Sequence, residues 1–190
     1  FPRNDAYYFL TRGEYYQAEG LDSHALKAFN QAVELAPGEA EPYLSRSECH
    51  RRSGRIDQAI EDLNAAIAID QNNPEAFLML AQSLSEREQI DQAQALIDHV
   101  LRLEPTWSRA YLIRGDLYAR MRELDKAIVD YQKADELSPE SLDILLALGD
   151  TLAEAGRASE ALEVFSRAAK VSPNHGWVYL YRGDALADAN

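Results

Sequence analysis

Ser108–Ser141 reads SRAYLIRGDLYARMRELDKAIVDYQKADELSPES, and its length sets the period of the whole chain. Tyr111, Leu112, Gly115 and Tyr118 recur at helical spacing and make one apolar stripe. The pattern lapses at Glu123 and Leu124, and Asp125 then stands where a carboxylate can accept the free N–H groups of a new helix. Ala127, Ile128, Tyr131, Ala134 and Leu137 form a second stripe, which Pro139 ends because proline cannot continue the backbone ladder. Gly115 and Ala127 are small where two antiparallel helices would touch most closely, and Ala134 is small where the next pair would dock.

The rest of the chain divides on the same length. From Ala6 onward the units are 6–39, 40–73, 74–107, 108–141 and 142–175, followed by a first helix alone at 176–190. Three ladders fix this register. Ala25, Ala59, Ala93, Ala127 and Ala161 are alanines spaced one unit apart. Ser23, Asp57, Asp91, Asp125 and Ser159 are all residues that cap helices well. Leu10, Leu44, Leu78, Leu112, Leu146 and Leu180 are all leucines. The second unit departs furthest: Ser47 replaces the glycine, His50 the tyrosine and Gln71 the proline, and Pro74 opens the following helix instead.

A large aromatic, Gly, Tyr, Ala, aromatic, Ala, Pro series, here Tyr111, Gly115, Tyr118, Ala127, Tyr131, Ala134 and Pro139, resembles the tetratricopeptide repeat over nearly the whole chain. The resemblance implies an all-α fold, a right-handed superhelical α-solenoid of stacked antiparallel helix hairpins. It also implies a concave wall made by the first helix of each unit, used to bind a peptide or protein segment. Some members hold the carboxylate terminus of heat-shock chaperones with a Lys/Asn/Arg clamp. The matching positions here are Leu10, Glu14, Ser45, Glu75 and Met79, none of them a clamp residue.

The wall can be read from helical geometry. The leucine ladder lies one residue past each aromatic core position, about 100° off the core. Four residues on, along the same face, come Glu14, Glu48, Gln82, Asp116, Asp150 and Asp184. A leucine row beside an acidic row suits a partner with apolar side chains flanked by Lys or Arg. The alternative is that the leucines pack between neighbouring first helices and the acids are solvated. Arg51, Arg52, Arg109 and Arg120 are the basic residues expected near this wall, where they pair with the acids of the protein or, as the less favoured alternative, with a partner carboxylate.

A fourth pattern links the two helices of a unit. Arg46 precedes Asp62 by the same separation as Arg114 precedes Asp130, whereas the same slots hold Leu80 with Leu96 and Leu148 with Val164. The slots are charged together or apolar together, which predicts contact across each hairpin. Arg12 with Ala28 is the exception. Arg182 would find its partner only past Asn190, so the natural chain is expected to continue there; Phe1 in place of Met is expected of a processed product or of one piece of a longer chain.

Charge and composition narrow the function classes. Net charge is −13, from 32 acidic and 19 basic residues, which disfavours nucleic acid and anionic membrane and suits basic partners. No apolar run reaches the length of a membrane span, so direct membrane insertion is not expected, and the chain reads as soluble, the cytoplasm being favoured over the periplasm. His24, His50, His99 and His175 are dispersed without metal-ligand spacing, and Cys49 reads as a buried packing thiol. There is no phosphate loop, nucleophile elbow or dinucleotide motif. The expectation is a scaffold or adaptor, not an enzyme, with no cofactor and no metal. Tyr8 and Tyr15 at one end, and Trp177 and Tyr181 at the other, are candidate end contacts for self-association or for docking further segments. A regulatory arm of a larger multidomain protein or enzyme is the remaining alternative.

Overall fold

The fold comes from a computed structural model that describes residues 2–174 together with Gly176 and Gly183. Apolar periodicity becomes helix throughout: α1 (Pro2–Ala18), α2 (Asp22–Leu35), α3 (Ala40–Arg52), α4 (Ile56–Ile69), α5 (Pro74–Glu86), α6 (Ile90–Leu103), α7 (Ser108–Arg120), α8 (Leu124–Leu137), α9 (Leu142–Glu154) and α10 (Ala158–Val171). Among the described residues there is no strand. The first helix expected at 176–190 lies outside the described residues apart from its two glycines. The chain forms two compact units, Phe1–Leu96 and Ile97–Asn190, with the boundary inside α6. In the first unit α1 packs on α2 and α3 on α4, with α2 on α3 and α4 on α5; in the second α7 packs on α8, α8 on α9 and α9 on α10.

The helices turn back on each other through one repeated device. Gly20, Gly54, Glu88, Arg122 and Gly156 all take positive φ, between 61° and 75°. A left-handed residue lets the next N–H reach back to a carbonyl near the end of the finished helix. Thus Leu21 donates to Tyr16, Arg55 to His50, Gln89 to Leu84, Glu123 to Tyr118 and Arg157 to Leu152, at 2.8 or 2.9 Å. Leu21, Arg55, Glu123 and Arg157 are also the N-cap positions of the following helices, and none makes a side-chain cap bond.

This corrects the expected caps. Ser23, Asp57, Asp91, Asp125 and Ser159 fall on the second helical residue, inside the first turn, because the tight turn starts each helix one residue earlier. An acid there still complements the helix dipole without capping it. One cap was not expected: Asn73 accepts from the Ala76 N–H at 3.1 Å, just before Pro74.

Each hairpin closes around the small residues. A Cβ on Gly13 would lie 2.4 Å from the Phe29 ring, one on Gly115 2.5 Å from Tyr131, and one on Gly149 2.5 Å from Phe165. Wherever the facing slot is aromatic, the first helix carries glycine. Where that slot holds Leu63 or Ile97, the first helix carries Ser47 or Ala81. The five-alanine ladder is fully buried from Ala25 to Ala161. Phe29 anchors the core of the first hairpin with Leu10 and Ala32, which Cys49 of α3 joins, and Phe165 anchors a core shared by α8, α9 and α10. Fully burying side chains of this size contributes about 1.5–3 kcal/mol each.

Candidate functional site

The expected contact between charged slots is present. Arg46 Nε donates to Asp62 Oδ2 at 2.9 Å and Nη2 to Oδ1 at 2.5 Å, while Nη1 donates to Asn30 in the preceding helix at 3.0 Å. Arg114 repeats the arrangement, with bonds of 2.7 and 2.8 Å to Asp130 and 2.9 Å to Asp98. Each guanidinium also sits 5.6 Å from a tyrosine ring, Tyr43 or Tyr111. Those tyrosines donate in turn to the backbone carbonyls of Pro37 and Pro105. Leu148 and Val164, at the apolar version of the same slots, are buried in one cluster. These arginines are therefore structural ties, their donor forks spent on acceptors of the protein itself.

The first helices form the wall expected to bind. In the first unit α1 touches α3 and α3 touches α5; in the second α7 touches α9. The leucine row is not uniform. Leu10, Leu44 and Leu78 are buried, Leu78 completely, while Leu112 and Leu146 are half-buried and lean on the core of the second unit. Leu180 and Asp184 lie outside the described residues.

The acidic row divides as well. Glu14 is exposed and Gln82 half-buried. Glu48 is held by Arg51 through two bonds of 2.8 Å, and Arg51 reaches Glu86 on α5 at 2.7 Å. Asp116 accepts from the Tyr131 hydroxyl at 2.7 Å. Asp116 is itself exposed, and partial desolvation of its carboxylate raises its pKa from the ordinary aspartate value, against the opposing effect of the Tyr131 bond. Asp150 is exposed, and partial desolvation of its carboxylate also raises its pKa. The Asp116–Tyr131 bond has no precursor in the periodic pattern, because tyrosine occupies that slot in only one unit. Of the other basic residues near the wall, Arg52 approaches Asp22 at 3.7 Å.

The outer face of α1 carries Tyr8 and Tyr15, 57% and 62% exposed, with Tyr7 at 67%. Trp177 and Tyr181 lie outside the described residues. Cys49 is fully buried, and its thiol, 3.4 Å from the Asp22 carbonyl, has its pKa pushed up by burial. His50 Nδ1 is buried without a hydrogen-bond partner, and burial holds the imidazole pKa below its ordinary value despite Asp62 at 3.9 Å. Among the described residues no group of three or more His, Cys, Asp or Glu side chains could hold a metal ion. None of the described helices is long and apolar enough to cross a membrane.

A family model described as tetratricopeptide repeat matches residues 50–117 and 118–190, and a second of the same description matches 10–74. Among solved structures, a thermophilic TPR protein of Thermus thermophilus superposes with a TM-score of 0.86 at 22% identity, over 96% of this chain and 99% of that one. PilF of Pseudomonas aeruginosa superposes at 0.77 and 18% identity, over 98% and 90%. YrrB, described as a TPR protein with an unusual peptide-binding site, superposes at 0.61 and 21% identity, over 93% and 90%. No curated protein matches the sequence.

Proposed function

This chain belongs to the tetratricopeptide repeat family, and on that footing we propose that it is an interaction scaffold that holds a peptide or protein segment against its first-helix wall. Members of this family generally mediate protein–protein interaction. The observation that carries the reading to particular residues is the pair Leu112 and Leu146 on the touching helices α7 and α9. Both are half-buried, and Asp116 and Asp150 lie one turn further along the same faces. A leucine that is only partly covered still gains from burial by a partner. A carboxylate one turn away selects a cationic side chain next to the apolar one.

The partner this suits is an extended or helical segment with apolar residues flanked by Lys or Arg. A preformed helical wall lowers the ordering cost on the protein side. The fully buried Leu78 does not serve as a contact in this reading, and Leu10 and Leu44 contribute packing.

Fluorescence anisotropy tests it with labelled peptides that alternate leucine and lysine, against a set in which lysine is replaced by glutamate. The Leu112→Ala, Leu146→Ala chain should bind the lysine set about tenfold more weakly at unchanged helicity. Equal affinity for the two peptide sets, or for the two proteins, rules the site out.

The exposed Tyr8 and Tyr15 favour a second reading, self-association through the α1 end. Sedimentation at rising concentration separates it from the first, since peptide capture does not require a change in mass.

A further inference from the structure

The first hairpin breaks the rule that governs its charged slot. Arg46 and Arg114 are each grasped by an aspartate of the following helix, and each has a further oxygen acceptor in the preceding helix. Arg12 occupies the same slot in α1, but its own hairpin offers Ala28 where α4 and α8 offer Asp62 and Asp130. Phe9 also stands where Tyr43 and Tyr111 stand. Arg12 instead donates to the Tyr16 hydroxyl at 3.0 and 3.2 Å and lies 5.4 Å from that ring.

A half-open pocket lies beside Arg12 and Ala28. It measures about 250 Å³ and opens between α1 and α2, with Arg12, His24 and Lys27 at its rim and Phe9, Tyr16 and Ala28 among its walls. The Tyr16 and His24 rings are 5.4 Å apart, which fixes one side. Arg12, His24 and Lys27 are not buried. Arg12, Lys27 and His24 thus line one pocket in a protein whose net charge is −13.

We propose that this pocket receives the carboxylate of an acidic side chain from a partner protein. The reason lies in the chain itself. At both equivalent places the guanidinium closes on a side-chain carboxylate with two parallel bonds, the geometry that suits a planar fork. The cavity is smaller than the usual small-molecule site, so it has room for one short side chain reaching in from outside. The apolar walls Phe9 and Ala28 would cover the methylene groups of that side chain. The pocket shares no residue with the Leu112 and Leu146 surface and selects the opposite charge.

NMR titration of the whole 190-residue chain tests it, using a short peptide with blocked ends and two central glutamates, and its glutamine counterpart. The glutamate peptide should shift the Phe9, Arg12 and Gln31 signals, the glutamine peptide should not, and Arg12→Ala should weaken binding about tenfold. Ala28→Asp installs the carboxylate that Arg46 and Arg114 already have. It should abolish peptide binding while raising thermal stability, so that loss of binding cannot be loss of fold. Leu112→Ala, Leu146→Ala should leave these shifts unchanged. Identical titrations of native and Ala28→Asp chains, or equal response to both peptides, overturn the assignment. So does inorganic phosphate moving the same signals as strongly at the same concentration, which would make the pocket a general anion site.

Discussion

Arg114 and Asp130 share two hydrogen bonds of 2.7 and 2.8 Å across one helical hairpin, and Leu148 and Val164 stand at the same two places one hairpin later. Two chemically opposite solutions therefore serve one structural slot. Removing one member of a buried pair leaves the other charge uncompensated, whereas exchanging both for apolar residues can be neutral. Arg114→Leu alone should cost about 3 kcal/mol. The double change Arg114→Leu, Asp130→Val should recover most of it, because Asp98 is more exposed and can be solvated. Urea unfolding of the four chains of the cycle measures the coupling; additive losses would mean that the pair is not a unit.

The glycine and the aromatic ring also form a unit. Gly149→Ala would put a Cβ 2.5 Å from the Phe165 ring and should cost about 1–3 kcal/mol. Adding Phe165→Ile reproduces the Ala81 and Ile97 combination and should restore part of the loss in the same unfolding measurement. A Gly149→Ala chain as stable as the native one would show that the ring moves freely.

At the hairpin turns, Glu88 and Arg122 take the left-handed conformation with φ of 62° and 61°, where the other three turns use glycine. A side chain in that region costs about 1–2 kcal/mol. Glu88→Gly should therefore stabilise the protein by about 1 kcal/mol, read as a rise in the urea midpoint at constant slope.

His50 predicts an acid-sensitive stability. Its folded pKa lies below the ordinary value of 6.5 because burial disfavours the charged ring. The stabilising contribution is then complete above 6.5 and is lost as pH falls through the lower folded value. Native and His50→Tyr chains should be compared by thermal unfolding at about pH 7.5, above that window, and at successively more acid pH. The gap in Tm should move in favour of the variant on the acid side, Tyr16 and Tyr118 being the residues at this slot in other hairpins.

Much of this architecture was legible because a solenoid repeats its constraints. The alanine ladder, the glycines under the rings and the linked Arg and Asp slots each recur, and contact across a hairpin follows from the recurrence. What recurrence cannot carry is what differs between copies. Leu78 and Leu146 share a slot, yet one is fully buried and the other half-buried, because coverage depends on the side chains that neighbouring helices bring. Asp116 is exposed, as the periodic pattern suggests, but the bond it accepts from the Tyr131 hydroxyl at 2.7 Å could not be read from that pattern. The early start of the second helices escaped for a related reason: a Ser or Asp ladder marks the beginning of a helix, and only the bond from Arg55 back to His50 decides which residue begins it. Arg12 was visible as an exception to a rule, and the cavity beside it was not.

In the turn between α3 and α4, Arg55 closes one helix and opens the next, so a single residue serves both ends. A residue inserted there would rotate the following helix by about 100° and carry its polar side onto its partner. A chain joined this way has no tolerance for small changes of length in its turns. It can drift by substitution, and it can gain or lose whole repeats, because only a complete repeat returns every later helix to the phase it had before.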